Sequence, residues 1–274
     1  MIVFPNCKIN LGLNILGKRT DGYHDLETVF YPIPFNDVLE ITQQTNAQSS
    51  PELFLSGTKI DGTTENNLCT RAYQLLKKDF PQLPAAKIYL HKAIPAGAGL
   101  GGGSADGAFT LMLMNDKFNL NLSQQQLINY ALTLGSDCPF FIVNKPCFAQ
   151  QRGEVLEQVQ LSLSGYKLVI VNPCIHVKTG WAFTQVKYVS GKDIKNIIQK
   201  PVEVWKDRLT NDFESPVFEK FPEIKNIKDR LYMQGALYAS MSGSGSTVYG
   251  LFKKNADMDF GFFPSHYFIR KLVL

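Results

Sequence analysis

Five glycines fall within the seven residues from Gly97 to Gly103, and Ser104 follows them. Ala105, Ala108, Phe109, Met112 and Leu113 then repeat at helical spacing, so a helix is expected from Ser104 to about Phe118. Glycine tolerates positive φ and lets the backbone come close to a ligand. A helix that starts behind such a loop points unpaired N–H groups and its positive dipole end into it, which suits a phosphate. As a mere connector, the same glycines would carry an entropic cost with nothing gained.

Three other phosphate or nucleotide sites can be set aside. The loop lacks Gly-Lys-Ser/Thr, which excludes a Walker A site. Gly97-Ala98-Gly99-Leu100-Gly101-Gly102 fits the dinucleotide fingerprint, but that fold needs a second strand ending in an acidic residue about twenty positions on. Asn115-Asp116-Lys117-Phe118-Asn119 stands there instead, as the polar end of a helix. The same glycines fit a protein-kinase loop, and Asp259-Phe260-Gly261 supplies a D-F-G. No Val-Ala-Ile-Lys strand and no His-Arg-Asp loop accompany them, and the chain ends at Leu274, too soon for an activation segment.

The elements that must position the loop can be read from periodicity. Cys7, Ile9, Leu11, Leu13 and Ile15 alternate with Lys8, Asn10, Gly12 and Asn14, a strand with one buried face. Lys8 and Asn10 share its polar face. A basic turn through Gly17 to Gly22 leads into a second strand from Tyr23 to Ile33, and a third lies near Val38 to Thr42. Ser56-Gly57 and Asp61-Gly62 punctuate a loop, after which Asn66 or Asn67 caps a helix carrying Leu68, Ala72, Leu75 and Leu76. Lys87 to Ile94 is a strand and Pro95 to Gly103 the loop itself. Ser123 to Gln126 is a capping box for a helix that Gly135 ends, and Ser136-Asp137-Cys138-Pro139 is a turn.

A polar stretch from Gln150 to Glu154 suggests a domain boundary, so domains of 1–155 and 156–274 are expected. The second holds strands at Tyr166–Val171, 236–241 and 247–252, with helix from about Val202 to Leu231. No repeat is present. The order of elements is that of an α+β chain rather than a doubly wound sheet.

Composition narrows the class. The chain has 274 residues, 45% hydrophobic and 19% charged, enough for two real cores and too apolar for long disorder. A dispersed net charge of +4 suits small anions rather than nucleic acid. Cys7, Cys69, Cys138, Cys147 and Cys174 are odd in number and widely spaced, which argues against a disulfide framework or zinc site. No signal-peptide pattern and no apolar run of membrane length are present, so a cytoplasmic protein without membrane partners is expected.

Taken together, Lys8 to Asn14, Pro95 to Ala105 and Ser240 to Thr247 resemble the three motifs of the GHMP kinases. The second stands as Pro95-Ala96-Gly97-Ala98-Gly99-Leu100-Gly101-Gly102-Gly103-Ser104-Ala105, and the third as Met241-Ser242-Gly243-Ser244-Gly245-Ser246-Thr247. Pro5-Asn6-Cys7-Lys8-Ile9-Asn10-Leu11, then Lys18-Arg19-Thr20-Asp21-Gly22-Tyr23-His24, resembles the branch whose acceptor is a cytidine-diphosphate-linked polyol phosphorylated on its 2-hydroxyl. The resemblance implies a two-domain fold, an N-terminal β/α nucleotide-binding domain and a smaller C-terminal α+β domain. It also implies ATP as co-substrate.

Within that resemblance, Pro95 to Ala105 holds the triphosphate, with Asn67 and Lys92 near the base or ribose. Helix cap for Asn67 and solvated strand end for Lys92 are equally open. Gly135-Ser136-Asp137-Cys138-Pro139 matches the family segment that carries the catalytic base, Asp137, against the plainer reading of a turn or N-cap aspartate. Lys8 is the implied cation beside the hydroxyl, against a solvated strand lysine. Asn10, Tyr23, His24, Thr179 and Phe183 are the implied acceptor residues, with cytosine stacked on Tyr23, bonded to His24 and backed by Phe183.

Mg²⁺ is expected with ATP, its ligands unidentified beyond Ser104. His24, His91, His176 and His266 form no metal-spaced set. The partner is a small molecule, and the assembly a monomer or homodimer. Two alternatives stand beside this reading. One is a related kinase acting on homoserine or mevalonate. The other is a catalytically silent nucleotide-binding module, which should have lost Lys8 or Asp137.

Overall fold

The structure, a computed structural model, describes residues 1–44, 51–60, 63–188 and 192–274. Asp61-Gly62, read as loop punctuation, lies outside these residues. In chain order the strands are β1 (Ile2–Val3), β2 (Asn6–Lys18), β3 (His24–Asn36), β4 (Val38–Gln43), β5 (Glu52–Gly57) and β6 (Ala86–Lys92). They continue with β7 (Cys147–Gln151), β8 (Val155–Gln158), β9 (Tyr166–Asn172), β10 (Tyr238–Met241), β11 (Val248–Lys253) and β12 (Phe268–Val273). The first four α-helices are α1 (Leu68–Asp79), α2 (Gly102–Lys117), α3 (Gln124–Leu134) and α4 (Cys138–Val143). The remaining four are α5 (Thr179–Gln185), α6 (Ile194–Ile198), α7 (Glu214–Lys220) and α8 (Pro222–Met233). The mixture is α+β, as the order of elements implied.

Packing groups the chain into two units that interleave in sequence, where the sequence reading placed a single cut at 155. One comprises 1–7, 35–96 and 101–145; the other comprises 8–34, 97–100 and 146–274.

The first unit has one sheet, ordered β1-β4-β6-β5, with β5 parallel to β6 and the other pairs antiparallel. Ser56-Gly57 belongs to β5 rather than to a loop, because ladder pairing with β6 outweighs the turn preference of its residues. Helix α1 is capped by Asn67, whose side chain accepts from the Cys69 N–H at 2.9 Å. Helix α3 opens with the expected capping box at Ser123 and Gln126.

The second unit has two sheets, β2-β3-β7-β8 and β10-β11-β9-β12. Leu13 and Ile15 of β2 pack with Val169, Val171, Ile224, Ile227, Leu231 and Phe252 in its core. The polar stretch from Gln150 to Glu154 is the end of β7 and the turn into β8. The stretch after Met258, to which no role could be read, inserts Phe260 and Phe263 into the core and adds β12 beside β9. Asp259-Phe260-Gly261 is a local turn, its aspartate accepting from the Gly261 N–H at 2.8 Å.

One expectation needs physical correction. Alternation along β2 predicted a buried and a solvated face, yet Lys8, Asn10 and Asn14 are each no more than 3% exposed. Both faces are covered, so the polar residues must find partners inside the protein.

Candidate active site

The second unit alone gathers three distant stretches of chain. On β2, the Lys8 N–H donates to the Leu100 carbonyl at 2.9 Å. Its ammonium donates to Asn10 Oδ1 at 2.6 Å and lies 4.7 Å from the centre of the Phe30 ring. Asn10 Nδ2 donates to the Thr28 hydroxyl at 3.1 Å, and the Tyr249 hydroxyl donates to the Asn10 carbonyl at 2.7 Å. Lys8 is therefore no solvated strand lysine but a buried cation held in one orientation.

The turn after β10 closes on the same place. The Ser242 hydroxyl donates to the Gly99 carbonyl at 2.8 Å and accepts from the Asn10 N–H at 3.3 Å. The Thr247 N–H donates to the Ala98 carbonyl at 3.3 Å. Gly99 has φ +78°, and a Cβ there would sit 2.0 Å from the Ser242 carbonyl oxygen, so no other residue fits. Asn211 donates to the Met241 and Gly243 carbonyls, both at 2.8 Å, and fixes the turn from behind. Thr179, at the start of α5, meets Ser244 of that turn, hydroxyl to hydroxyl at 2.8 Å. Pro95 is half-buried and Gly97 exposed.

The first unit holds the rest of the loop. Helix α2 begins at Gly102, two residues before the expected Ser104, behind Gly101 with φ +72°. Gly102, Gly103 and Ser104 thus form its first turn, whose N–H groups have no partners within the helix, and Ala105 is buried behind them. A Cβ at Gly103 would meet nothing within 4 Å. Neither crowding nor backbone angle demands glycine there, and in a helix it costs about 0.5–1 kcal/mol relative to alanine.

Cys138 and Pro139 open α4 rather than forming a free turn, since proline suits a first helical turn. Asp137 occupies the N-cap position, but its side chain makes no cap hydrogen bond. Next to it, the Cys138 thiol meets the Ser104 hydroxyl, and burial pushes that thiol up to about 12, so it stays protonated. Asp137 is in this way one residue from a side chain that touches the first turn of α2.

Of the expected acceptor residues, the three aromatic ones lie in the second unit, Tyr23 exposed and His24 and Phe183 half-buried, while Asn10 is buried beside Lys8 and Thr179 meets Ser244. Phe183 stacks on His24, with ring centroids 4.5 Å apart and planes 15° apart. Tyr23 is 53% exposed and has the Arg152 guanidinium over one face at 4.7 Å. The Tyr188 hydroxyl lies 3.2 Å from His24 Nε2. Burial, with help from Lys18, holds His24 below its usual pKa and favours the neutral ring.

Sequence reasoning missed Arg152 and Tyr188. Arg152 lay in a polar run taken for a boundary, and its neighbour Glu154 pairs with it at 3.0 Å. Tyr188, five residues after Phe183, carried no motif at all.

Two nucleotide-binding expectations change. Lys92 is not a solvated strand end: it is 3% exposed, with its ammonium between the Asp37 and Asp106 carboxylates. So enclosed, it has no surface to offer a base or ribose. Asn67 does cap α1, and its Oδ1 is thereby committed to the Cys69 N–H.

A strand-borne lysine, a glycine loop opening a helix and a serine turn closing on that loop define a class. The chain belongs to the GHMP kinases: their N-terminal domain family matches residues 67–145 and their C-terminal family 194–260. It is 54% identical over 264 residues to a 4-diphosphocytidyl-2-C-methyl-D-erythritol kinase of Bacteroides fragilis, covering 95% of this chain and 96% of that protein. A crystal structure of 4-(cytidine 5'-diphospho)-2C-methyl-D-erythritol kinase superposes with a TM-score of 0.78 at 31% identity, over 92% of this chain and 90% of the other. Methanococcus jannaschii mevalonate kinase shares the fold, with a TM-score of 0.70 at 17% identity over 93% and 92%.

Proposed function

We propose that this chain transfers the γ-phosphoryl group of ATP to the 2-hydroxyl of 4-diphosphocytidyl-2-C-methyl-D-erythritol. The observation that carries the transfer is the hydrogen-bonded meeting of Lys8–Asn10, Gly97–Leu100 and Ser242–Thr247. Phosphoryl transfer asks a protein mainly for positioning and charge neutralisation, and a network buried in this way supplies both.

Backbone N–H groups from Gly97 to Ser104 hold the phosphates. Asp137 takes the proton of the acceptor hydroxyl as the oxygen attacks. A carboxylate alone is a weak base toward an alcohol; the Lys8 ammonium stabilises the developing alkoxide and the charge on the transferring group. Asn10 Oδ1 aims that ammonium. Tyr23, His24 and Phe183 bind the cytosine, with Tyr23 offering the face that Arg152 leaves open, and Thr179 contacts the acceptor. Cys138, kept as a thiol, adds no negative charge beside the phosphates.

Among the described residues no three His, Cys, Asp or Glu side chains group as a metal site. A Mg²⁺ ion accompanying ATP would take most of its ligands from phosphate oxygens and water, with Ser104 the nearest hydroxyl on α2, and would neutralise phosphate charge. No helix among the described residues is long and apolar enough to cross a membrane, and we place the enzyme in the cytoplasm, as a monomer or homodimer.

A panel of acceptors with labelled ATP tests the reading. Turnover of the cytidine-diphosphate-linked polyol, without turnover of mevalonate or homoserine, is the expected result. Turnover of either rival alone would move the chain to another branch of the family. Asp137→Asn should lower kcat about 10²–10⁴-fold with nucleotide affinity little changed; an unchanged rate removes Asp137 from the mechanism.

A further inference from the structure

Lys92 ends β6 three residues before Pro95, where the glycine loop begins. Its ammonium bonds the Asp37 carboxylate, and it reaches Asp106, in the second turn of α2, at 2.6 Å. Asp37 also accepts the N–H groups of Ala93 at 2.6 Å and Ile94 at 2.9 Å. The cluster thus grips the chain on both sides of the loop, at 92–94 where it enters and at 106 where it leaves. None of the three side chains is more than 4% exposed. Gly102 lies against it as well, since a Cβ there would come within 3.4 Å of Lys92 Nζ.

Stability alone is a poor reason for this arrangement, because buried ion clusters often do no better than packed apolar side chains. Two carboxyls share one ammonium, and Asp106 Oδ1 is buried without a hydrogen-bond partner. Burial pushes the Asp106 carboxyl up to about 7 against the pull of Lys92, with Asp37 raising it further. What the cluster does supply is direction: each of its bonds orients backbone or helix next to the loop.

We propose that Asp37, Lys92 and Asp106 form a positioning clamp, through which Asp106 sets the geometry of the phosphate loop without touching the nucleotide. The proposal rests on the nucleotide-binding half of the functional reading and not on the identity of the acceptor. Asp106→Ala leaves the Lys92–Asp37 pair intact and unties α2 from β6.

Affinity for a non-hydrolysable ATP analogue, measured by calorimetry, should fall about tenfold in that variant. The acceptor KM should stay within twofold, and Asp106→Asn should recover most of the loss. Amide exchange should quicken across 97–104 and not across the chain. Nucleotide affinity within twofold of the native value, exchange that quickens throughout, or no recovery by asparagine would each overturn the clamp. If Asp106→Ala does not fold, the triple variant Asp37→Asn, Lys92→Met and Asp106→Asn removes all three buried charges and is read by the same nucleotide affinity, acceptor KM and amide exchange. Failure of the acceptor panel with a tenfold loss of nucleotide affinity would sink the substrate assignment and keep the clamp.

Discussion

The two ends of the chemistry are built in opposite ways. Around the proposed phosphate loop the polar side chains are buried and bonded: Lys8 to Asn10, Asn10 to Thr28, Ser242 to Gly99. Around the proposed base-reading group two rings are exposed, Tyr23 at 53% and Tyr188 at 49%, and the other two, His24 and Phe183, are half-buried and stack on each other. A buried polar network has few alternative arrangements, because any broken bond leaves a desolvated group unpaired. An exposed aromatic group can part and close again at little cost. The proposed transfer site is preorganised; the proposed recognition site is adaptable.

The largest effect that could break this contrast is at Lys8. Lys8→Met should lower kcat about 10²–10³-fold, the range for losing one charge-stabilising donor, and steady-state assays that show only a KM change would mean the cation binds without assisting. Next is Gly99→Ala. With φ +78° and the Ser242 carbonyl in the way, the loop must move, and the KM for ATP should rise about 100-fold. A tolerated alanine would show the loop to be as adaptable as the rings.

On the exposed side, Tyr23→Ala should weaken the acceptor by about 1–3 kcal/mol, the usual value of a base–aromatic stack, read as a rise in acceptor KM at constant ATP KM. Tyr188→Phe removes only the contact to His24 Nε2, and a rise of about threefold in acceptor KM is expected from a bond of under 1 kcal/mol. A loss as large as that of Tyr23→Ala would make the group less adaptable than its exposure implies.

The smallest effect is thermal. Asp106 titrates at about 7 in the fold against 3.8 for the free group, because burial disfavours its charge. The folded protein therefore holds a proton that the unfolded chain releases, and the stability this contributes is full below about 3.8 and lost as pH rises through 7. Lys92, Asp37 and Cys69 are the groups that face it. The Tm of Asp106→Asn should gain on that of the native protein between pH 5 and 8; a constant gap would mean that Asp106 is ionised throughout.

Local chemistry was legible in the amino-acid order. Glycine spacing marked the loop before α2, alternation marked β2, Asn66 or Asn67 and Ser123 marked helix starts, and Asp-Gly marked the hairpin into β3. Each depends on neighbours within a few residues, where backbone preference and side-chain period act directly. The start of α2 was misjudged by two residues because Gly102 and Gly103 are poor helix formers, and only the surrounding packing makes them helical.

What the tertiary structure decided is which polar residues are buried and which partners they have. Lys8 and Lys92 both end or line strands and look alike in sequence. One is bonded to an asparagine beside the glycine loop and the other is enclosed by two carboxylates. No local pattern separates them, because the partners of Lys92 lie 55 and 14 residues away, and the cost of burying a charge is settled only by what the fold brings to it.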